Sequence, residues 1–215
     1  MTRFESWEDY FYPETYDSAR GYGTLRNKLG IRDATELRRQ EYALVFSRQA
    51  ELHTAPNLLG RTYDVAPHVR AIHRYLFQDV YEWAGEFRTV DMAKGTGVFA
   101  HWDMGIQDRL EDVHYIIQEI QWEHLDYESF SASSALVFAY LNAAHPFREG
   151  NGRSSKVFMQ HVAEQSRFQF DFTQIDPRLW NHASALSVPV SPSFEPNPRP
   201  LIGVFQAATI DRPAT

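Results

Sequence analysis

A mainly α fold, a helical bundle carrying one short β-hairpin, is predicted by three features of this sequence. Helical patterns dominate the chain, with apolar residues recurring at three- and four-residue intervals. One stretch, Phe87 to Ala100, instead gathers β-branched and aromatic residues around Lys94-Gly-Thr-Gly97, the mark of a short hairpin. Cysteine is absent, so there is no disulfide framework and no thiolate metal site to organise the chain in place of a packed core.

The elements follow in order. Asp33, with Glu36 three residues on, is a capping box that opens a helix to about His53, stopped by Pro56. Pro67 sits in the first turn of the next helix, which runs to about Phe77 with Val69, Ile72 and Leu76 facing inward. After the hairpin a long helix is expected from Asp103 to Glu123, apolar at Ile106, Leu110, Val113, Ile117 and Ile120. Asp126 to Ala144 reads as a helix with Phe130, Val137, Phe138 and Leu141 on one face, and Ser154 to Phe168 as another. Asp176-Pro177 opens a helix to about Leu186. Ser187 to Pro200 holds five of the eleven prolines and reads as an irregular wrap before a last short helix, Leu201 to Ala208.

At 215 residues the chain suits one domain, 1–215, and 43% apolar residues favour a globular core. The net charge of −7 argues against broad binding to DNA or RNA, which needs clustered Lys and Arg. No stretch of about 18 apolar residues spans a bilayer and the N-terminus has no apolar signal core, so a cytoplasmic protein without a direct nucleic-acid or membrane partner is expected.

Chemistry concentrates in His145-Pro-Phe-Arg-Glu-Gly-Asn-Gly-Arg153, between two helices. Gly150 and Gly152 let the backbone take φ > 0 and approach a ligand, and the first N–H groups of the following helix have no internal partners. Such a loop is an anion nest. Arg153 is badly placed for the helix dipole unless an anion offsets it, and Asn151 can donate to the same anion, for which phosphate is the expected identity. Glu149 beside a polyphosphate suits Mg²⁺, which keeps most of its waters and takes one or two protein oxygens. His145 titrates near neutrality and can act as a base. Phe147 is expected to anchor the loop in the core and Arg148 to face solvent. The other eight histidines, among them His68, His73, His101 and His124, show no zinc spacing.

These nine residues resemble the signature of the Fic family, His-x-Phe-x-(Asp/Glu)-Gly-Asn-Gly-Arg-x-x-Arg, at every fixed position up to Arg153; Lys156 stands where the family usually has its last Arg. Trp83-Ala-Gly85 and Arg88-Thr-Val90, followed by the hairpin, are similar to a second Fic segment. Asn27-Lys-Leu-Gly-Ile31 with Glu36-Leu and Glu41 is a weaker third, so the likeness runs from about residue 25 to 170.

The resemblance implies a Fic-type helical bundle whose hairpin is a flap, Lys94, Gly95, Thr96, Gly97, Val98 and Phe99, able to take a target segment as an added strand. It implies a protein adenylyltransferase with ATP as co-substrate. His145 is then the base that deprotonates the target hydroxyl and Glu149 the Mg²⁺ ligand. The phosphates fall to Gly150, Asn151, Gly152, Arg153 and Lys156, the last expected to face the same anion as Arg153. Relatives that act as kinases carry Lys where this chain has Gly152, which speaks for AMP transfer. Transfer of another phosphate-containing group and a catalytically silent binding module remain the alternatives. Small bacterial Fic toxins commonly modify type II topoisomerases such as DNA gyrase, which makes gyrase an expected target. Many Fic proteins carry an inhibitory helix with the pattern (Ser/Thr)-x-x-x-Glu-(Gly/Asn); here the only Glu followed by Gly or Asn is Glu149, so a separate small antitoxin is expected to supply the helix.

Overall fold

The computed structural model describes residues 4–55, 58–60, 64–94 and 97–213. Among them seven α-helices follow in chain order: α1 (Ala34–Thr54), α2 (Val65–Phe77), α3 (Gly105–Glu119), α4 (Tyr127–Ala144), α5 (Asn151–Ala163), α6 (Pro177–Ser187) and α7 (Arg199–Ala208). Two small antiparallel sheets accompany them, β1 (Ala93–Lys94) with β2 (Gly97–Val98), and β3 (Phe168–Phe170) with β4 (Thr209–Asp211). The mainly helical class with a short hairpin stands as expected, and no helix among the described residues is long and apolar enough to cross a membrane.

Helix α4 is the axis of the bundle. Its apolar and small residues are not confined to one face: Phe130, Val137, Phe138 and Leu141 are buried, and so are Ser131, Ser134, Ala135, Ala139, Ala143 and Ala144. A helix apolar on several sides is covered on several sides, and α4 packs against α3, α5, α6 and α7. The small side chains let those neighbours come close. α2 joins the remaining layer, touching α1, α3 and α5. An aromatic group made of Phe130, Phe138, Phe168, Phe170, Phe172, Trp180 and Phe205 joins α4, β3, α6 and α7, its rings 4.8 to 6.3 Å apart in tilted, stacked and edge-on pairs.

Local chemistry explains where the elements differ from expectation. α3 stops at Glu119 rather than Glu123 because Ile120 turns extended and the buried Trp122 indole N–H takes the Ile117 carbonyl at 3.0 Å. α5 begins at Asn151, three residues early, and ends at Ala163 instead of reaching Phe168. Phe168 and Phe170 point inward on either side of Gln169, a period of two, and pair with β4 in the register Phe168↔Asp211 and Phe170↔Thr209. At α1, Asp33 accepts from the Glu36 N–H at 2.7 Å, but the Glu36 carboxylate turns to Arg39 and Gln40, so half the capping box forms. Pro56 lies outside the described residues.

Asp126 caps α4 by accepting the Ser129 N–H at 2.8 Å, and that hydrogen bond holds its carboxyl below the usual range. Asp126→Ala should cost about 1 kcal/mol, read as a lower urea midpoint at pH 7, while Asp126→Asn stays near the wild type; equal losses in both variants would show that the cap contributes through charge alone.

Candidate active site

The loop between α4 and α5 bends into the left-handed region at both ends. His145 sits at φ 39°, ψ 57° as the C-cap of α4, the one non-glycine residue with positive φ among the described residues. Such a conformation costs of order 1–3 kcal/mol and persists where surroundings impose it. Pro146 follows and cannot continue the helix. At the other end Gly150 has φ 83°, and a Cβ there would lie 2.2 Å from Cζ of Phe77, so the position admits only glycine.

Side chains from several elements hold this backbone. Arg88, fully buried, donates to the carbonyls of His145 at 2.9 Å, Val90 at 2.7 Å and Ala100, and burial pushes its guanidinium down to about 10. Asn151 accepts the Phe147 N–H at 2.9 Å and donates to the Phe147 carbonyl at 2.7 Å. His73 of α2 lies 2.9 Å from the Glu149 carbonyl through Nε2 and accepts the Gly85 N–H at Nδ1, 2.8 Å away. That pair of bonds fixes a neutral ring with its proton on Nε2, and burial pushes its pKa down to about 3. Gly85, at φ 81°, brings its amide to His73 where a Cβ would meet Arg74 Cβ at 2.7 Å and Arg70 O at 2.9 Å. Phe147, 1% exposed, stacks on His73 with centroids 3.8 Å apart, the core anchor that was expected.

Arg148 departs from expectation. It is buried, its guanidinium 3.6 Å from the Trp7 ring centroid and facing Tyr10 and Phe11, so it ties the N-terminal segment to the loop rather than facing solvent.

Because α5 starts at Asn151, Gly152 and Arg153 belong to its first turn. Among the described residues the N–H groups of Asn151, Gly152 and Arg153 meet no protein acceptor, and no side chain caps the helix. Gly152 is exposed, and nothing lies within 4 Å of where its Cβ would stand. It does not take positive φ, so the expectation that both glycines bend the chain holds only for Gly150. The Glu149 carboxylate folds back, Oε1 accepting from the Gly150 N–H at 2.9 Å and standing 3.3 Å from Arg153 Nη2. The same Nη2 lies 2.5 Å from Oε1 of Glu41 on α1. In this structure the anions that offset Arg153 at the helix start therefore come from the chain itself. Lys156 does not share them: its ammonium sits 4.5 Å from the Trp180 centroid and 5.4 Å from that of Phe172, and burial lowers its pKa.

The hairpin pairs Ala93 with Val98 and Lys94 with Gly97; Gly95 and Thr96 lie outside the described residues, and Lys94 enters by its backbone. Phe99, just past β2, is buried and stacks on the His145 ring, centroids 3.8 Å apart. The Val98 N–H reaches the Pro189 carbonyl at 3.3 Å, so the Pro-rich wrap borders β2, while the outer edge of β1 pairs with no other strand among the described residues. His145, Glu149 and Gly150 of the loop and Asn151, Gly152 and Arg153 of the first turn of α5 are thus brought together, with Phe99 behind the His145 ring.

Two consequences can be measured. Gly150→Ala should lower stability by about 2 kcal/mol or more through strain and overlap with Phe77, whereas Gly152→Ala should leave it unchanged or raise it by about 0.5–1 kcal/mol; paired urea melts decide. The second concerns acid. His73 and His68, the latter held down to about 4 by burial and then by His161, have folded pKa values below the unfolded value of about 6.5. Depressed histidines stabilise the neutral form, so their contribution is complete above pH 6.5 and is lost as pH falls towards 4, at up to about 1.4 kcal/mol per pH unit for each. Urea midpoints should agree at pH 8 and 7 and drop at 6 and 5; a flat profile down to pH 5 would rule this out.

The profile of the Fic/DOC family matches residues 64–163. Probable protein adenylyltransferase y4lH of Sinorhizobium fredii is 33% identical over 185 residues, covering 83% of this chain and 87% of the relative. Protein adenylyltransferase VbhT of Bartonella schoenbuchensis is 34% identical over 185 residues, 86% of this chain but 37% of its own length. Among solved structures, BepC of Bartonella tribocorum with bound AMPPNP superposes with a TM-score of 0.81 at 26% identity, covering 95% of this chain and 98% of the other. A VirB-translocated Bep effector Fic domain from Bartonella quintana with bound ADP gives a TM-score of 0.81 at 26% identity, covering 95% and 96%. The α4–α5 loop, the hairpin beside it and these likenesses together place the chain in the Fic/DOC family.

Proposed function

We propose that the chain is a protein adenylyltransferase, moving AMP from Mg·ATP to a hydroxyl side chain of a target protein. The observation that carries this reading is the open first turn of α5. Its three unpaired N–H groups and the empty space over Gly152 adjoin Glu149 and Arg153, with His145 at the other end of the same loop. Relatives carrying the adenylyltransferase name, and neighbours with ADP or AMPPNP bound, support it.

In this mechanism the hydroxyl oxygen bonds to the α-phosphorus as the bond from that phosphorus to the bridging oxygen of pyrophosphate breaks. His145 takes the hydroxyl proton, its ring held in place by Phe99. The amides of α5 face charge developing on the phosphate oxygens, a stabilisation worth roughly 3–4 kcal/mol per donor in comparable sites. Glu149 fits a Mg²⁺ ligand: Oε1 is engaged by Gly150 and Arg153, and Oε2 meets no partner among the described residues. A single hard carboxylate beside phosphates and waters is how that ion is usually held, and when bound it supplies charge neutralisation. The open edge of β1 would receive the target segment through main-chain hydrogen bonds.

Within this reading the chain acts as a bacterial toxin restrained by a small antitoxin, with a type II topoisomerase such as gyrase as a target to be tried first. Incubation with α-labelled or γ-labelled ATP in a bacterial lysate should label one dominant band from the α position only. His145→Ala should lower that transfer at least 100-fold with the melting temperature unchanged. Transfer from the γ position, or activity of His145→Ala within about tenfold of wild type, would overturn the proposal.

A further inference from the structure

Glu41 is a carboxylate in the core that the mechanism above leaves without a task. It is 7% exposed on α1, a helix outside the residues matched by the family profile. A buried carboxylate is costly unless paired and hydrogen-bonded, and both of its oxygens are engaged. Oε1 lies 2.5 Å from Arg153 Nη2, and Oε2 accepts from the Tyr81 hydroxyl. Burial, followed by the Glu41 charge, raises the Tyr81 pKa, so the phenol remains a donor. The Arg153 guanidinium lies over the Phe77 ring at 4.7 Å, and Phe77 is the ring against which Gly150 packs. Arg153 is therefore placed by three groups: Phe77 beneath it, Glu41 at one side, and Glu149 at 3.3 Å on the other.

Glu149 and Glu41 are not equivalent holders. Glu149 is half-exposed on the loop and has an open oxygen, whereas Glu41 is locked from behind by Tyr81. A ligand that draws Glu149 away leaves Arg153 attached only to Glu41. With Glu41 absent, Arg153 would close on Glu149 one turn earlier in the chain, and both side chains would be lost to the phosphate site. Nε and Nη1 of Arg153 meet no partner among the described residues, so they are the donors that this arrangement keeps for an incoming anion.

We propose that Glu41, backed by Tyr81, is a positioning residue for polyphosphate binding: it holds Arg153 at the mouth of the α5 nest and keeps it from sequestering Glu149. The inference rests on the phosphate-binding role proposed for the nest. Simple charge counting gives the opposite expectation, since removing a carboxylate beside a phosphate site should strengthen anion binding, so the direction of the change decides.

The test is calorimetric titration of AMPPNP in the presence of Mg²⁺ into wild type, Glu41→Gln, Tyr81→Phe, Arg153→Ala and the Glu41→Gln/Arg153→Ala double variant, each checked by thermal melting. Glu41→Gln should weaken binding about tenfold and raise the Mg²⁺ concentration needed for half-maximal binding. Tyr81→Phe should move both in the same direction by a smaller factor. In the Arg153→Ala background Glu41→Gln should change affinity less than twofold, because its effect passes through Arg153. Unchanged or tighter binding by Glu41→Gln, or an equal loss with and without Arg153, overturns the inference. If Glu41→Gln does not fold, the Tyr81→Phe direction decides alone. Failure of the wild type to bind AMPPNP would instead remove the proposed adenylyltransferase reading, a distinct result.

Discussion

His145 and Glu149 stand on six residues of backbone, His145 to Gly150, that follow no regular structure and turn left-handed at both ends. A loop of that kind has no helix or sheet to define it, so its polar backbone groups must be met by side chains. Arg88 meets the His145 carbonyl, His73 the Glu149 carbonyl, and Asn151 the Phe147 amide and carbonyl. Each holder comes from a different part of the chain and each is itself buried. The Trp83-Ala-Gly85 and Arg88-Thr-Val90 segment, far from the loop in sequence, thereby becomes its mould: Gly85 orients His73 and Arg88 clamps the turn before Pro146.

The mould also sets the chemistry available. A neutral His73 is required, because protonation at Nδ1 would oppose the Gly85 N–H, and the burial that keeps the ring neutral is supplied by Phe77, Trp83 and Phe147 stacked around it. The ring that anchors the loop thus shares a stack with the ring that supports Arg153, through Phe77. Stability of the core and the position of the Arg153 guanidinium rest on the same aromatic group.

How much of this could be read from sequence follows from range. The helices of the bundle declare themselves through apolar spacing and caps, and α1, α2, α4 and α6 begin and end within about two residues of the expected positions. The nine-residue motif declares the loop, because His, acid, Gly, Asn and Arg sit within one contiguous stretch. What was not legible is what reaches the loop from elsewhere. Glu41, Tyr81, His73 and Arg88 lie 40 or more residues away from their contacts or bond to backbone, which carries no residue-type signal. Arg148 looks like an ordinary exposed arginine until Trp7, Tyr10 and Phe11 fold over it. The β3 strand did carry a signal, the alternation Phe168-Gln-Phe170, but a helical reading of the preceding residues ran across it.

The charges around the α5 start explain why such a site can rest quietly without a ligand. Arg153 is balanced by Glu41 and Glu149, and Lys156 stands apart over Trp180 and Phe172, its ammonium in contact with ring faces rather than a carboxylate. Arg153 with Glu41 and Glu149 makes a cluster of one positive and two negative side chains, and the helix dipole adds a small positive field at its mouth. Anything that neutralises Glu149 leaves Arg153 and Glu41 in balance, at a helix start whose first three amides meet no acceptor among the described residues, so the field that remains is the positive one of the helix. On the proposed reading, a divalent cation arriving with a polyphosphate would be an agent of that kind, its charge met by Glu149 while the phosphate charge would be met by Arg153 and the amides. Free phosphate without the metal would face Glu149 unscreened. On that reading the site would discriminate by charge balance as well as by shape, and it would need Arg153 fixed by Glu41, because an arginine free to follow Glu149 would compete with the cation for the same carboxylate.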